Sequence, residues 1–208
     1  ENANFRGLPK AFDAFKEIIL EGPDSASTAQ FGLELLFYEA QTGDKEFRYI
    51  NAGRKWWPPW RMRGEKVDLV KEIYNWLSAI QKESRKRLGE GGLQQIPQGY
   101  KEFKGPSWRH AEPNAIVYAF FEAYGDKEAA EAIVGWLKNR MWDSKQGLIR
   151  AEEGKDIHSL DAQTRWILAL GIERFMKVFS LTPEDFKEYL KRIEKEFGIT
   201  EESYPLRN

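Results

Sequence analysis

The 208-residue chain contains no cysteine and only two histidines. The missing thiols exclude disulfides, thiolate zinc sites and a cysteine nucleophile. They leave the compartment open. The two histidines, His110 and His158, stand far apart in the sequence and form no spaced ligand motif, so no metal is expected. A net charge of -1 supplies no field to attract nucleic acid or an anionic membrane. No apolar run approaches the roughly 20 residues of a membrane span. Gly89-Glu90-Gly91-Gly92 lacks the lysine and hydroxyl residue of a phosphate loop, and Gly-x-Ser-x-Gly is absent, so no cofactor is implied. The chain begins Glu1-Asn2-Ala3-Asn4-Phe5 without a signal-peptide pattern, which would suit a processed mature protein or a trimmed one; the location stays open, secreted or periplasmic being one option.

What remains is an ordinary globular composition, 41% hydrophobic and 31% charged, long enough for one domain with a substantial core. Eight tryptophans are many for this length. Flat aromatics serve cores and also form stacking platforms for sugar rings.

The expected elements are mostly helices. Phe12, Phe15, Ile18 and Ile19 recur at helical spacing over 9–21, and Gly22-Pro23 ends that segment. Asp24 or Ser25 is placed to cap a helix over 26–42. A short helix over 44–53 follows, then the basic and aromatic stretch 51–64, where Pro58-Pro59 forbids regular helix. Further helices are read over 65–88, 113–124, 126–141, 161–179 and 183–197, the last with Thr182 as cap and Pro183 in its first turn. Polar loops are read over 89–105 and 148–160.

Two copies of one turn recur. Tyr38-Glu39-Ala40-Gln41-Thr42-Gly43-Asp44 returns as Phe121-Glu122-Ala123-Tyr124-Gly125-Asp126, one residue shorter. The segment 161–197 repeats the same order of buried helix and amphipathic helix. Three such pairs predict an all-α array of antiparallel helical hairpins, with the loops that lead into the inner helices gathered at one end.

Three local motifs extend this reading. Gly22-Pro23-Asp24-Ser25-Ala26 resembles a GPxA helix start, and His110-Ala111-Glu112-Pro113-Asn114 resembles a rearranged TEHN start. Leu160-Asp161-Ala162-Gln163-Thr164-Arg165-Trp166 resembles LDxQTW with an inserted arginine. Together they resemble part of an (α/α) toroid of the glycoside-hydrolase type, over about residues 22–171. Complete six-hairpin toroids are longer than this chain, so the expectation is a single (α/α)-toroid-like domain that is an incomplete ring, the C-terminal portion of a larger enzyme or a shorter variant.

The resemblance implies a carbohydrate ligand and a hydrolase working through paired carboxyl groups, one protonating the leaving oxygen and one activating water or attacking. Glu112 and Asp161 are the best pair. Asp24, Arg109, His110, Asn114, His158 and Gln163 would bind substrate beside them, and Trp56, Trp57, Trp60 and Trp108 would line the cleft. A polysaccharide lyase would instead use Arg54, Arg61 or Arg109 against a uronate carboxylate. A non-catalytic glycan- or protein-binding scaffold is the alternative. Acids at helix starts also serve as ordinary caps that favour the helix dipole.

Overall fold

A computed structural model describes residues 9–13, 18–51, 66–94 and 109–198 of the chain. Trp56, Trp57, Trp60 and Trp108, with Arg54 and Arg61, lie outside the described residues. Within them the protein is all-α in class, with seven α-helices and three two-stranded ribbons. No described helix is long and apolar enough to cross a membrane.

The first segment departs from expectation. Residues Pro9–Asp13 (β1) and Ile18–Pro23 (β2) pair antiparallel, from Pro9 against Pro23 to Asp13 against Ile18, with an irregularity between Ala11 and Phe12. These strands stand where the sequence predicts a helix over 9–21, because a strand is decided by its partner rather than by local spacing; Phe15 lies outside the described residues. Helix α1 spans Ser25–Thr42. Asp24 caps it, accepting from the backbone N–H of Ser27 at 2.8 Å and from its hydroxyl at 2.9 Å.

The turn after α1 keeps its predicted stop, Gly43, at φ 71°. It does not lead into the expected short helix. Asp44 accepts from Glu46 N–H and starts only a 3₁₀ turn at Glu46–Arg48. Tyr49–Asn51 (β3) then pairs with Lys66–Asp68 (β4). Arg48 secures this corner, donating to Glu39 on α1 at 2.8 Å and to both carboxylate oxygens of Asp68. Asp68 also caps α2, Leu69–Leu88.

The second half carries α3 (Ala111–Tyr124) and α4 (Lys127–Trp136), joined at Gly125 with φ 99° and capped at α4 by Asp126. A π-helical turn, Leu137–Met141, extends α4 into the ribbon of Trp142–Asp143 (β5) and Leu148–Ile149 (β6). The expected helix over 161–179 is two helices, α5 (Leu160–Leu170) and α6 (Ile172–Phe179), interrupted at Gly171 with φ 73°. Helix α7, Pro183–Phe197, starts as expected: Thr182 and Asp185 form a reciprocal capping box around Pro183.

Helix α3 is the centre of the packing. It packs on α1, α5 and α4, while α2 packs on α1, and α6 and α7 pack on α5. Val117, Tyr118, Phe120 and Phe121 are all buried, as a helix packed against several neighbours requires. Trp136 and Trp166 are fully buried, and the indole N–H of Trp166 donates to Ala111 O at 2.9 Å, tying α5 to the start of α3.

Candidate functional site

The starts of α3 and α5 lie on the same side of the packing, brought together by a short extended patch. His110 bridges antiparallel to Glu152, and Arg150 bridges to His158. Ala111 N–H donates to Ala151 O, and Ala151 N–H to Ile157 O. The loop between β6 and α5 is therefore held against the chain that leads into α3.

Within each start the same positions take the same environment. The cap is His110 or Ser159, and four residues on stands a buried amide, Asn114 or Gln163. Asn114 accepts from Leu93 N–H at 2.7 Å and donates to Leu93 O and His110 O. Gln163 accepts from Ile149 N–H at 2.9 Å and donates to Ile149 O and Ser159 O. Each amide satisfies both the N–H and the C=O of one backbone residue, Leu93 or, on β6, Ile149. Gln163 also accepts from the Tyr189 hydroxyl at 2.8 Å. The Leu93 clamp requires close approach: a side chain at Gly92 would collide with the Trp136 ring. The glycines of 89–92 thus shape a packed turn.

Arg109 is equally engaged. Its side chain is 2% exposed, pairs with Glu153 through two nitrogens, and donates to Gly89 O at 2.7 Å and Leu88 O at 3.4 Å. It closes the C-terminal end of α2 and lies over the Trp136 ring at 5.6 Å. Among the residues predicted to bind substrate, Asp24, Arg109, Asn114 and Gln163 therefore have their polar groups occupied inside the protein.

Glu112 and Asp161 differ from these. Each stands two residues after its cap, on neighbouring packed helices, with its side chain reaching solvent. Glu112 is paired with Arg165 of α5 at 3.0 Å, an arginine that lies one turn beyond Asp161. Below them the outward faces of α1, α3 and α5 enclose an open trough of about 410 Å³, lined by Gln30, Leu33, Ala115, Ile116, Ala119, Arg165, Leu168 and Ala169. Leu168 is 80% exposed beside it, and Phe37 on α1 is 67% exposed.

The two histidines keep apart from each other's chemistry. His110 caps α3 without a side-chain bond, and its Nε2 is buried without a hydrogen-bond partner. His158 sits against acids. Its Nε2 is also buried and unpartnered, 3.7 Å from Asp143 Oδ2. One ligand atom from each of Asp143, Asp156 and His158 lies within 4.8 Å of the others. Burial opposes the charge on Asp143, yet the N–H groups of Lys145 and Gln146 and the Arg150 guanidinium hold its pKa below the usual carboxylate value. This cluster borders an open polar pocket of about 630 Å³ between the π turn and the loop 153–156. Histidine spacing could not reveal it, because the partners are aspartates on a turn and a loop; the run Trp142-Asp143-Ser144 followed by Lys155-Asp156-Ile157-His158 was the available signal.

No protein-family model, curated protein or solved structure matches the chain.

Proposed function

We propose that the chain is a carbohydrate-active array of helical hairpins, an incomplete (α/α) toroid, in which Glu112 and Asp161 form the carboxyl pair of a glycoside hydrolase. The observation that carries this reading is their equivalence: the same position after the cap, on adjacent helices, both open to solvent above a trough. One would protonate the glycosidic oxygen and the other would activate water or attack the sugar. Arg165, paired with Glu112, would fix that side chain's orientation while charge develops. The packing of α1 and α5 on α3, each of the three also in contact with the helix or helices that follow it, supports the hairpin arrangement.

A second reading is a non-catalytic binding scaffold. It is favoured by the internal use of Asn114, Gln163, Arg109 and Asp24, and by the apolar trough. The lyase variant is disfavoured at Arg109, whose donors are already engaged.

Product release from a panel of neutral and acidic polysaccharides tests these readings, with Glu112→Gln and Asp161→Asn measured beside the parent. New reducing ends from the parent, lost in both folded variants, support the carboxyl pair. Equal activity in all three removes these residues from the chemistry. A parent that binds glycans without cleaving them favours the scaffold.

A further inference from the structure

We propose that Asp143, Asp156 and His158 form a binding site for a divalent transition-metal ion of the zinc class. The site is independent of the carboxyl pair at Glu112 and Asp161. Three observations carry it.

First, the donor set fits. One imidazole nitrogen and two carboxylates, all within 4.8 Å of one another, are ligands that zinc accepts. Ligands about 2.0–2.2 Å from a common ion stand roughly 3–4 Å apart. The 3.7 Å between His158 Nε2 and Asp143 Oδ2 is too long for a hydrogen bond and falls in that range.

Second, His158 is an unsatisfied group pointed at the acids. Its side chain is only 10% exposed, and Nε2 has no hydrogen-bond partner. A buried imidazole nitrogen without a partner is costly, and an ion shared with Asp143 satisfies it.

Third, the three ligands differ in mobility in the way a loading site needs. Asp143 is fixed at the end of β5: one carboxylate oxygen accepts from Lys145 N–H at 2.9 Å and Gln146 N–H at 3.3 Å, and the other, which faces His158 and Arg150, is the one assigned to the ion. His158 is fixed by the bridge to Arg150 and by the cap at Ser159 that follows it. Asp156 is exposed and can close over the ion from the pocket side. Three protein ligands leave a fourth position open toward the pocket, the arrangement in which zinc carries water.

Arg150 is the competitor. Its Nη2 lies 3.2 Å from Asp143 Oδ2, on the oxygen assigned to the ion. Lys145 and Lys155 also line the pocket, against Asp143, Glu153 and Asp156, and Arg140 at the rim is paired with Glu90 at 3.2 Å. Removing the Arg150 charge should therefore tighten binding.

Isothermal titration of the whole chelator-treated chain with zinc chloride, and in parallel with manganese, calcium and magnesium chloride, tests the site. The expected result is one equivalent of zinc at micromolar or tighter Kd. Asp156→Asn and His158→Gln each weaken binding at least tenfold, His110→Gln leaves it unchanged, and Arg150→Gln strengthens it severalfold. Cobalt substituted for zinc should give a visible absorption band that Asp156→Asn removes. No uptake by the folded parent overturns the proposal, as does unchanged zinc affinity in both ligand variants or a preference for calcium or magnesium. Asp156 is exposed, so its variant decides the matter even where His158→Gln fails to fold.

Discussion

At the start of α3 an amide, Asn114, holds Leu93 by its N–H and C=O; at the start of α5 another, Gln163, holds Ile149 in the same way. The two sites differ in what surrounds the clamp. Gln163 takes a third element, α7, through Tyr189, whereas Asn114 bonds only Leu93 and the carbonyl of its own cap, His110. Ser159 caps α5 with its hydroxyl, while His110 caps α3 with no side-chain bond. The comparison separates structural from available residues. Four positions after the cap the side chain builds the fold; two positions after it the carboxylates remain open. Helix starts that look equally polar in sequence therefore divide by position.

The largest break comes from the clamps. Gln163→Leu strands the N–H and C=O of Ile149 and the Tyr189 hydroxyl, and should cost about 3–5 kcal/mol in urea unfolding. Asn114→Leu should cost less, about 2–4 kcal/mol, because no third element depends on it. Losses below about 1 kcal/mol in both would remove the clamp from the account of the fold.

Acid tests a feature that only the α5 side has. Asp143 has its folded-state pKa lowered, so it adds stability above its unfolded value of about 3.9, and that contribution is lost as pH falls through the folded value. Glu39, held by Arg48, and Asp185, held by Thr182, act with the same sign. Melting temperatures recorded downward from pH 7 should fall below about pH 4, and Asp143→Asn should lower the plateau and flatten that descent. A variant with the parent's acid slope would contradict this assignment.

The caps come next. Ser159→Ala should cost about 1 kcal/mol, and His110→Asn should gain about 0.5–1 kcal/mol by supplying the missing bond. Equal and opposite shifts in thermal midpoint would sharpen the contrast; destabilisation by His110→Asn would show that the imidazole packs more than it caps. The smallest effect belongs to Arg165→Met. An exposed ion pair with Glu112 is worth under about 1 kcal/mol, so stability should barely move while any hydrolytic activity falls.

Sequence made some elements plain and hid others for physical reasons. Helices α1 and α7 were legible because their caps are local: Asp24 reaches Ser27, and Thr182 reaches Asp185. The β1–β2 and β3–β4 ribbons were not, since a strand is decided by its partner, and Asn51 meets Lys66 only after the chain returns. The break between α5 and α6 turns on Gly171, whose apolar flanks read as continuous helix. At the site, Glu112 and Asp161 were visible as acids near helix starts, but an amide that holds a backbone looks in sequence like one that awaits a sugar. Asn114 and Gln163 fit either role in sequence; in the structure both hold a backbone.

The anchors at Leu93 and Arg109 have a consequence for how the chain could be rearranged. Leu93 is fastened to α3 through Asn114, and Arg109 is fastened to the end of α2 and to Glu153. Each side of the intervening segment is thus held by bonds that do not pass through it. Helix α1 also lies directly on α3. The two halves are then joined by contacts as well as by the chain, and the protein becomes a candidate for splitting between Gln94 and Arg109: fragments made separately would have a shared core and two ready-made latches by which to find each other.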